Sequence, residues 1–207
     1  MFSEIKQYLA TVLAEYSGGD GYEILLKAKD EYFALTGTIH EENDEYEHKM
    51  NCFNDWFLLH YSTEKNGASI ICDYLFRKEA PKEIMDVFKA PNYALFEFKK
   101  TNSKNQVVLK DVLHDKTILL PEMKIGLIED DLFIGRTLTL DTERNYLMKG
   151  ICVLPQDAKS VCAKQAKRVR KLHVPTEETT FLLTLEFLKT KWLRYGRHID
   201  AKKIFVF

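Results

Sequence analysis

The spacing of apolar residues changes twice along this 207-residue chain, and those changes constrain its fold more than any single motif. Up to about residue 90, apolar side chains recur every three or four positions. Phe2, Ile5, Leu9, Val12, Leu13 and Tyr16 form one stripe, closed by Gly18-Gly19. That is the period of an amphipathic helix. The same spacing predicts a second helix from Tyr22 to about Leu35, with Gly37 as its stop signal, and a third that starts in HEENDEYEH and runs to about Tyr61. Carboxylates suit a helix start because they oppose the positive end of its dipole. A turn at Lys65-Asn66-Gly67, a short helix over residues 68–77 and another begun by Pro81 complete this helical part, which Pro91 ends.

From residue 92 the period becomes two. NYALFEFKK, QVVLKDVL, KTILLPE, LFIGRTLTLD and NYLMKGICVLP are rich in β-branched and aromatic residues and are separated by Asn, Ser, Asp or Gly. They read as five antiparallel strands. Five short strands with no intervening helix favour a curved sheet or small barrel, because closure protects the edges. After Pro155 the helical period returns, first in the basic DAKSVCAKQAKRVRKLH and then in a segment framed by Thr176 and Gly196. The tail KKIFVF is either a sixth strand or a hydrophobic plug. The expected fold is therefore α+β: a helical part over 1–90, a β part over 91–155, and a helical part over 156–207 packed back on the first two.

A chain of this length can bury about 70% of the surface its unfolded form exposes. With 45% hydrophobic and 29% charged residues, neither disorder nor a fibrous repeat is indicated. The N-terminus lacks the features of a secretory signal, and no stretch approaches the ~20 apolar residues that span a bilayer. A cytoplasmic chain without a membrane span is expected. Cys52, Cys72, Cys152 and Cys162 form no CxxC pair, so buried free thiols are expected and no zinc site. The net charge of −1 hides a gradient. Residues 1–89 carry 9 Lys+Arg against 17 Asp+Glu, a net −8; residues 156–207 carry 12 against 5, a net +7. Either the two ends pack on each other or the basic end meets an acidic partner.

FNDWFLLHY, residues 53–61, places Asp55, Trp56 and His60 in a helix that is apolar on most sides. A buried carboxylate must be hydrogen-bonded or paired, so Asp55 is expected to tie this helix to a neighbour or to the Trp56 indole. His40, Glu45 and His48 include a Glu-x-x-His pair, but no second pair exists to complete a di-iron site, and no metal or cofactor is expected. The chain has no phosphate-binding loop, nucleophile elbow or HExxH motif. An enzyme would need Asp55, His60, Asp111 or Arg136 to converge in one pocket. The basic helix is more informative. Lys164, Lys167, Arg168, Arg170 and Lys171 lie within eight residues, and four of them share one helical face. Such a face either is solvated, packs on the acidic helices, or binds a polyanion. RNA or DNA is the expected polyanion, with Tyr93, Phe96, Phe98 and Phe133 as candidate stacking residues, and an acidic protein surface is the alternative.

FNDWFLLHY, NYALFEFKKTNSKNQVVLKDVLHDKTILLPE and EDDLFIGRTLTL together resemble a group of uncharacterised bacterial proteins related to those carrying SEC-C metal-binding modules. In that group an F-x-D-W-[FL] helix precedes a β-domain. Phe53, Asp55, Trp56 and Phe57 match the helix, and Asp111, Asp131 and Arg136 match later positions in the β-domain. The resemblance covers residues 50–155 and implies the same helix-then-sheet architecture. The Cys- and His-rich metal module is missing, and Asp130 stands where the group has glycine.

Overall fold

Five helices precede the strands: α1 (Phe2–Tyr16), α2 (Gly21–Thr36), α3 (Tyr46–Leu59), α4 (Ile70–Arg77) and α5 (Lys82–Lys89). These bounds come from a computed structural model that describes residues 1–64, 67–141, 144–195 and 198–207. The expected turn residues Lys65 and Asn66 and the expected helix stop Gly196 lie outside the described residues. Gly37 ends α2 with a positive φ of 77°, and its lack of a side chain lets Thr190 approach closely. As expected, α3 starts inside the acidic stretch HEENDEYEH, at Tyr46, with Glu45 at its N-cap and Glu47 in its first turn. Asn43 accepts a hydrogen bond from the Glu45 N–H at 2.9 Å through its own side chain, holding the turn that precedes the helix.

The strands β1 (Asn92–Thr101), β2 (Val107–Asp111), β3 (Lys116–Leu120), β4 (Leu132–Thr139) and β5 (Asn145–Leu147) run antiparallel in the order β3-β2-β1-β4-β5. The expected fifth strand is interrupted: β5 pairs with Thr137–Thr139 of β4, and β6 (Cys152–Val153) resumes the pairing at Phe133 and Ile134. The Asn145 side-chain amide donates to the Leu119 carbonyl at 3.2 Å, bringing the two ends of the sheet together. The result is a curled half-barrel.

Period-two alternation sorts the strand residues into two faces. Phe96, Phe133, Leu109, Leu120 and Leu147 fill the hollow of the half-barrel. On the outer face, Leu95, Leu132 and Ile134 share a core with Ala166, Leu182 and Leu185 of α6 (Lys159–Arg170) and α7 (Pro175–Arg194). Further along β4, Leu138 joins Ile5, Phe53 and Phe57 of the N-terminal helices. Strand β4 thus runs from one core into the other, and Arg136 stands at the crossing. Each fully buried Leu or Phe contributes roughly 1.5–3 kcal/mol, so both cores hold the sheet firmly. The tail is the plug rather than a strand: Ile204 and Phe205 are buried in the α6–α7 core. Among the described residues no helix is long and apolar enough to cross a membrane, and all four thiols are free.

Candidate functional site

Two groups of charged residues stand out, one buried and one exposed. The buried group forms where α2, α3, α7 and β4 meet. Arg136 is 0% exposed, and none of its three guanidinium nitrogens finds a hydrogen-bond acceptor among the described residues. Burying an isolated cation is expensive. The cost is offset by the Tyr93 ring, whose centroid lies 3.9 Å from the guanidinium, and by Glu186 and Asp55 acting through space.

Glu186, on α7 and 1% exposed, is the anion of this junction. Its carboxylate accepts the Tyr93 hydroxyl at 2.8 Å and the Tyr32 hydroxyl, and Lys49 Nζ lies 4.0 Å away. Lys49 also donates to the Thr36 carbonyl at 3.0 Å and to Thr190 Oγ1 at 3.2 Å, and burial lowers its pKa. Burial, reinforced by Glu186, pushes the Tyr32 and Tyr93 hydroxyls well above the usual phenol range. The cavity beside Lys49 and Glu186 measures about 20 Å³, the space of a single water. This junction ties helices to sheet and gives no room for a substrate.

Asp55 ties α3 to the gap between β5 and β6. Its Oδ2 accepts the Gly150 N–H at 2.6 Å, in the segment between β5 and β6, while the Met148 N–H still donates to the Arg136 carbonyl at 2.9 Å. The partner is thus a backbone amide, not the Trp56 indole. Burial pushes the Asp55 carboxyl up to about 6 against the opposing pull of Arg136 and of the Gly150 bond. His60 caps the C-terminal end of α3; its Nε2 is enclosed with no partner among the described residues, and burial followed by Arg136 lowers its pKa to about 3.

Asp111 belongs to a separate cluster. It is fully buried and fixes His114, accepting from its backbone N–H at 2.9 Å and sitting 2.8 Å from Nδ1; His114 Nε2 lies 3.4 Å from Glu178 of α7. The hydrogen bond that the His114 ring gives to the Asp111 carboxylate raises the His114 pKa despite partial burial. His60, Tyr93 and His114 line one pocket of about 180 Å³, but Asp55 does not reach it. Asp55, His60, Asp111 and Arg136 thus do not line one described pocket. No cluster with metal-ligand character occurs among the described residues, and Glu45 and His48 approach only to 3.9 Å.

The exposed group is on α6. Cys162, Ala166 and Val169 face inward, so Lys164, Lys167, Arg168 and Lys171 face solvent. Arg170 differs: its guanidinium pairs with Asp115 at 3.2 Å. The stacking expectation is corrected here. Tyr93, Phe96, Phe98 and Phe133 are 8%, 0%, 8% and 0% exposed, because the curled sheet is filled by its own rings and covered by helices. None offers a face to a base.

Residues 25–182, from the middle of α2 to the first turns of α7, match a family model. The chain belongs to DUF7986, a family of unknown function. No curated protein and no solved structure matches the chain. The DUF7986 range takes in Asp55, Asp111, Arg136 and the whole of α6, and stops short of Glu186. Glu186, Lys49 and Tyr32 escaped the sequence reading. Their signal was a charge on an apolar phase: Glu186 in FLLTLEFLK follows Leu182 and Leu185 on the buried side of α7. Asp130 adopts φ 70°, a left-handed conformation that Asp tolerates better than most residues.

Proposed function

We propose that the chain is a non-enzymatic binding module that holds a polyanion on the outer face of α6. One observation carries this reading. Among the described residues Lys164, Lys167, Arg168 and Lys171 have no acidic partner, although the same helix places Lys159 2.7 Å from Glu97 and Arg170 3.2 Å from Asp115. Carboxylates are available nearby, and this face remains uncompensated. Nor does it pack on the acidic helices, which meet α7 instead through the Lys189–Glu45 pair at 3.3 Å.

With the sheet aromatics buried, the contact would be to phosphates or sulfates rather than to bases. Fluorescence anisotropy of the full chain against duplex DNA, single-stranded RNA and heparin, at low and near-physiological salt, tests the reading. Four phosphate contacts give a log–log salt slope of about −3 to −4. Replacing Lys164, Lys167, Arg168 and Lys171 with Glu should abolish binding. Binding that survives this change, or none by the wild type at low salt, sinks the proposal. Capture of an acidic protein by the same four cations would instead support the alternative, a protein-interaction or scaffold component whose charged ends mediate assembly.

A further inference from the structure

On α1, Lys6, Leu9, Ala10 and Leu13 follow one another at spacings of three, one and three, and on α3 Asn51, Asn54, Asp55 and Leu58 do the same. Each set lies on one helical face. The two faces meet across a cleft of about 460 Å³ that Met148 and Lys149 close from the β5–β6 link. A small side chain at Ala10 helps keep it open. The floor is apolar, formed by Leu9, Leu13, Leu58 and Met148, and the size falls in the range of small-molecule sites.

The rim is polar and unsatisfied. Lys6 and Lys149 are exposed, and neither forms an ion pair among the described residues; the Asn51 and Asn54 amides have no partner there either. Lys6 stands in a helical part whose net charge is −8, from 9 Lys+Arg against 17 Asp+Glu over residues 1–89, and Lys149 adds a second cation from the β5–β6 link. Asp55 lies at the bottom with one carboxylate oxygen committed to Gly150, so two cations face a single acid.

We propose that this cleft binds a small molecule with an apolar tail and one carboxylate. The tail lies on Leu9, Leu13, Leu58 and Met148. The carboxylate meets Lys6 and Lys149 and accepts hydrogen bonds from the Asn51 and Asn54 amides. The site is independent of α6.

NMR titration of the isotope-labelled full chain with decanoate, decanol and decylamine decides the matter. Decanoate should bind saturably, shifting the amides of Asn51, Asn54 and Lys149, and decanol and decylamine should bind at least about tenfold more weakly. The Lys6→Glu/Lys149→Glu double variant alters only exposed positions and should weaken decanoate at least about tenfold. Ala10→Trp, also at an exposed position, should block all three probes. Equal binding of decanoate and decanol, shifts centred elsewhere, unchanged affinity in the double variant, or no saturable binding would each overturn the proposal.

Discussion

Arg136 and Lys167 are both cations on regular elements, yet they stand in opposite situations. Arg136 is sealed at the crossing of two cores, with Tyr93 against its face and Glu186 within electrostatic reach. Lys164, Lys167, Arg168 and Lys171 are exposed and meet no carboxylate among the described residues. Removing charge should be costly in the first place and almost free in the second, because desolvation and not charge itself sets the cost. The buried junction specifies the fold, and the exposed face is available to a partner.

The strongest way to break this comparison is Glu186→Leu. It removes the carboxylate that faces both buried Arg136 and Lys49 and strips both tyrosine hydroxyls of an acceptor, so a loss of about 3–5 kcal/mol in urea unfolding is expected. A loss below about 1 kcal/mol would mean that the junction is not electrostatically coupled.

Next in size is a pair of opposed pH effects. Burial raises Asp55 from 3.8 to about 6, so between those values the folded chain keeps a proton that the unfolded chain has released. Its contribution therefore falls as pH rises, by up to about 1.4 kcal/mol per unit. His60, lowered from 6.5 to about 3, stays neutral when folded while the unfolded chain takes up a proton, so its contribution rises with pH over that window. The two oppose each other between about pH 4 and 6. Asp55→Asn should make stability climb more steeply with pH than in the wild type, and His60→Gln should make it climb less or fall. Urea midpoints measured across this window check the signs; changes of the same sign in both variants would refute the scheme.

Gly150→Ala sharpens the role of the Asp55 link. An added Cβ would stand 2.7 Å from the Cys52 Cα and 2.8 Å from the Asn51 carbonyl, both backbone atoms of α3 that yield little. A loss of about 1–3 kcal/mol is expected by thermal denaturation. At the small end, replacing Lys164, Lys167, Arg168 and Lys171 with Ala should change stability by less than about 0.5 kcal/mol, read from the same urea curves. A larger loss would place those cations in the structural class.

The helices and strands were legible because burial on one face imposes a period, and both periods survive in the text of the chain. The four exposed cations of α6 were legible for the same reason. The stacking role for Phe96 and Phe133 misled because alternation alone does not say which face of a curled sheet is filled from within. Asp55 was expected to be tied to a neighbour, but its partner, the Gly150 amide, was not legible: a backbone group carries no side-chain signal. Glu186 and Arg136 are 50 residues apart in sequence, and only the way α7 folds back over β4 brings them into reach.

Because β4 passes from the α6–α7 core into that of the N-terminal helices, neither half can melt while the other stays intact. Loss of α7 would remove Glu186, one of the carboxylates that offset Arg136 in the middle of a strand that the first helices need. The chain should therefore behave as one cooperative folding unit, with the slowest-exchanging amides of α3, β4 and α7 sharing a single opening free energy.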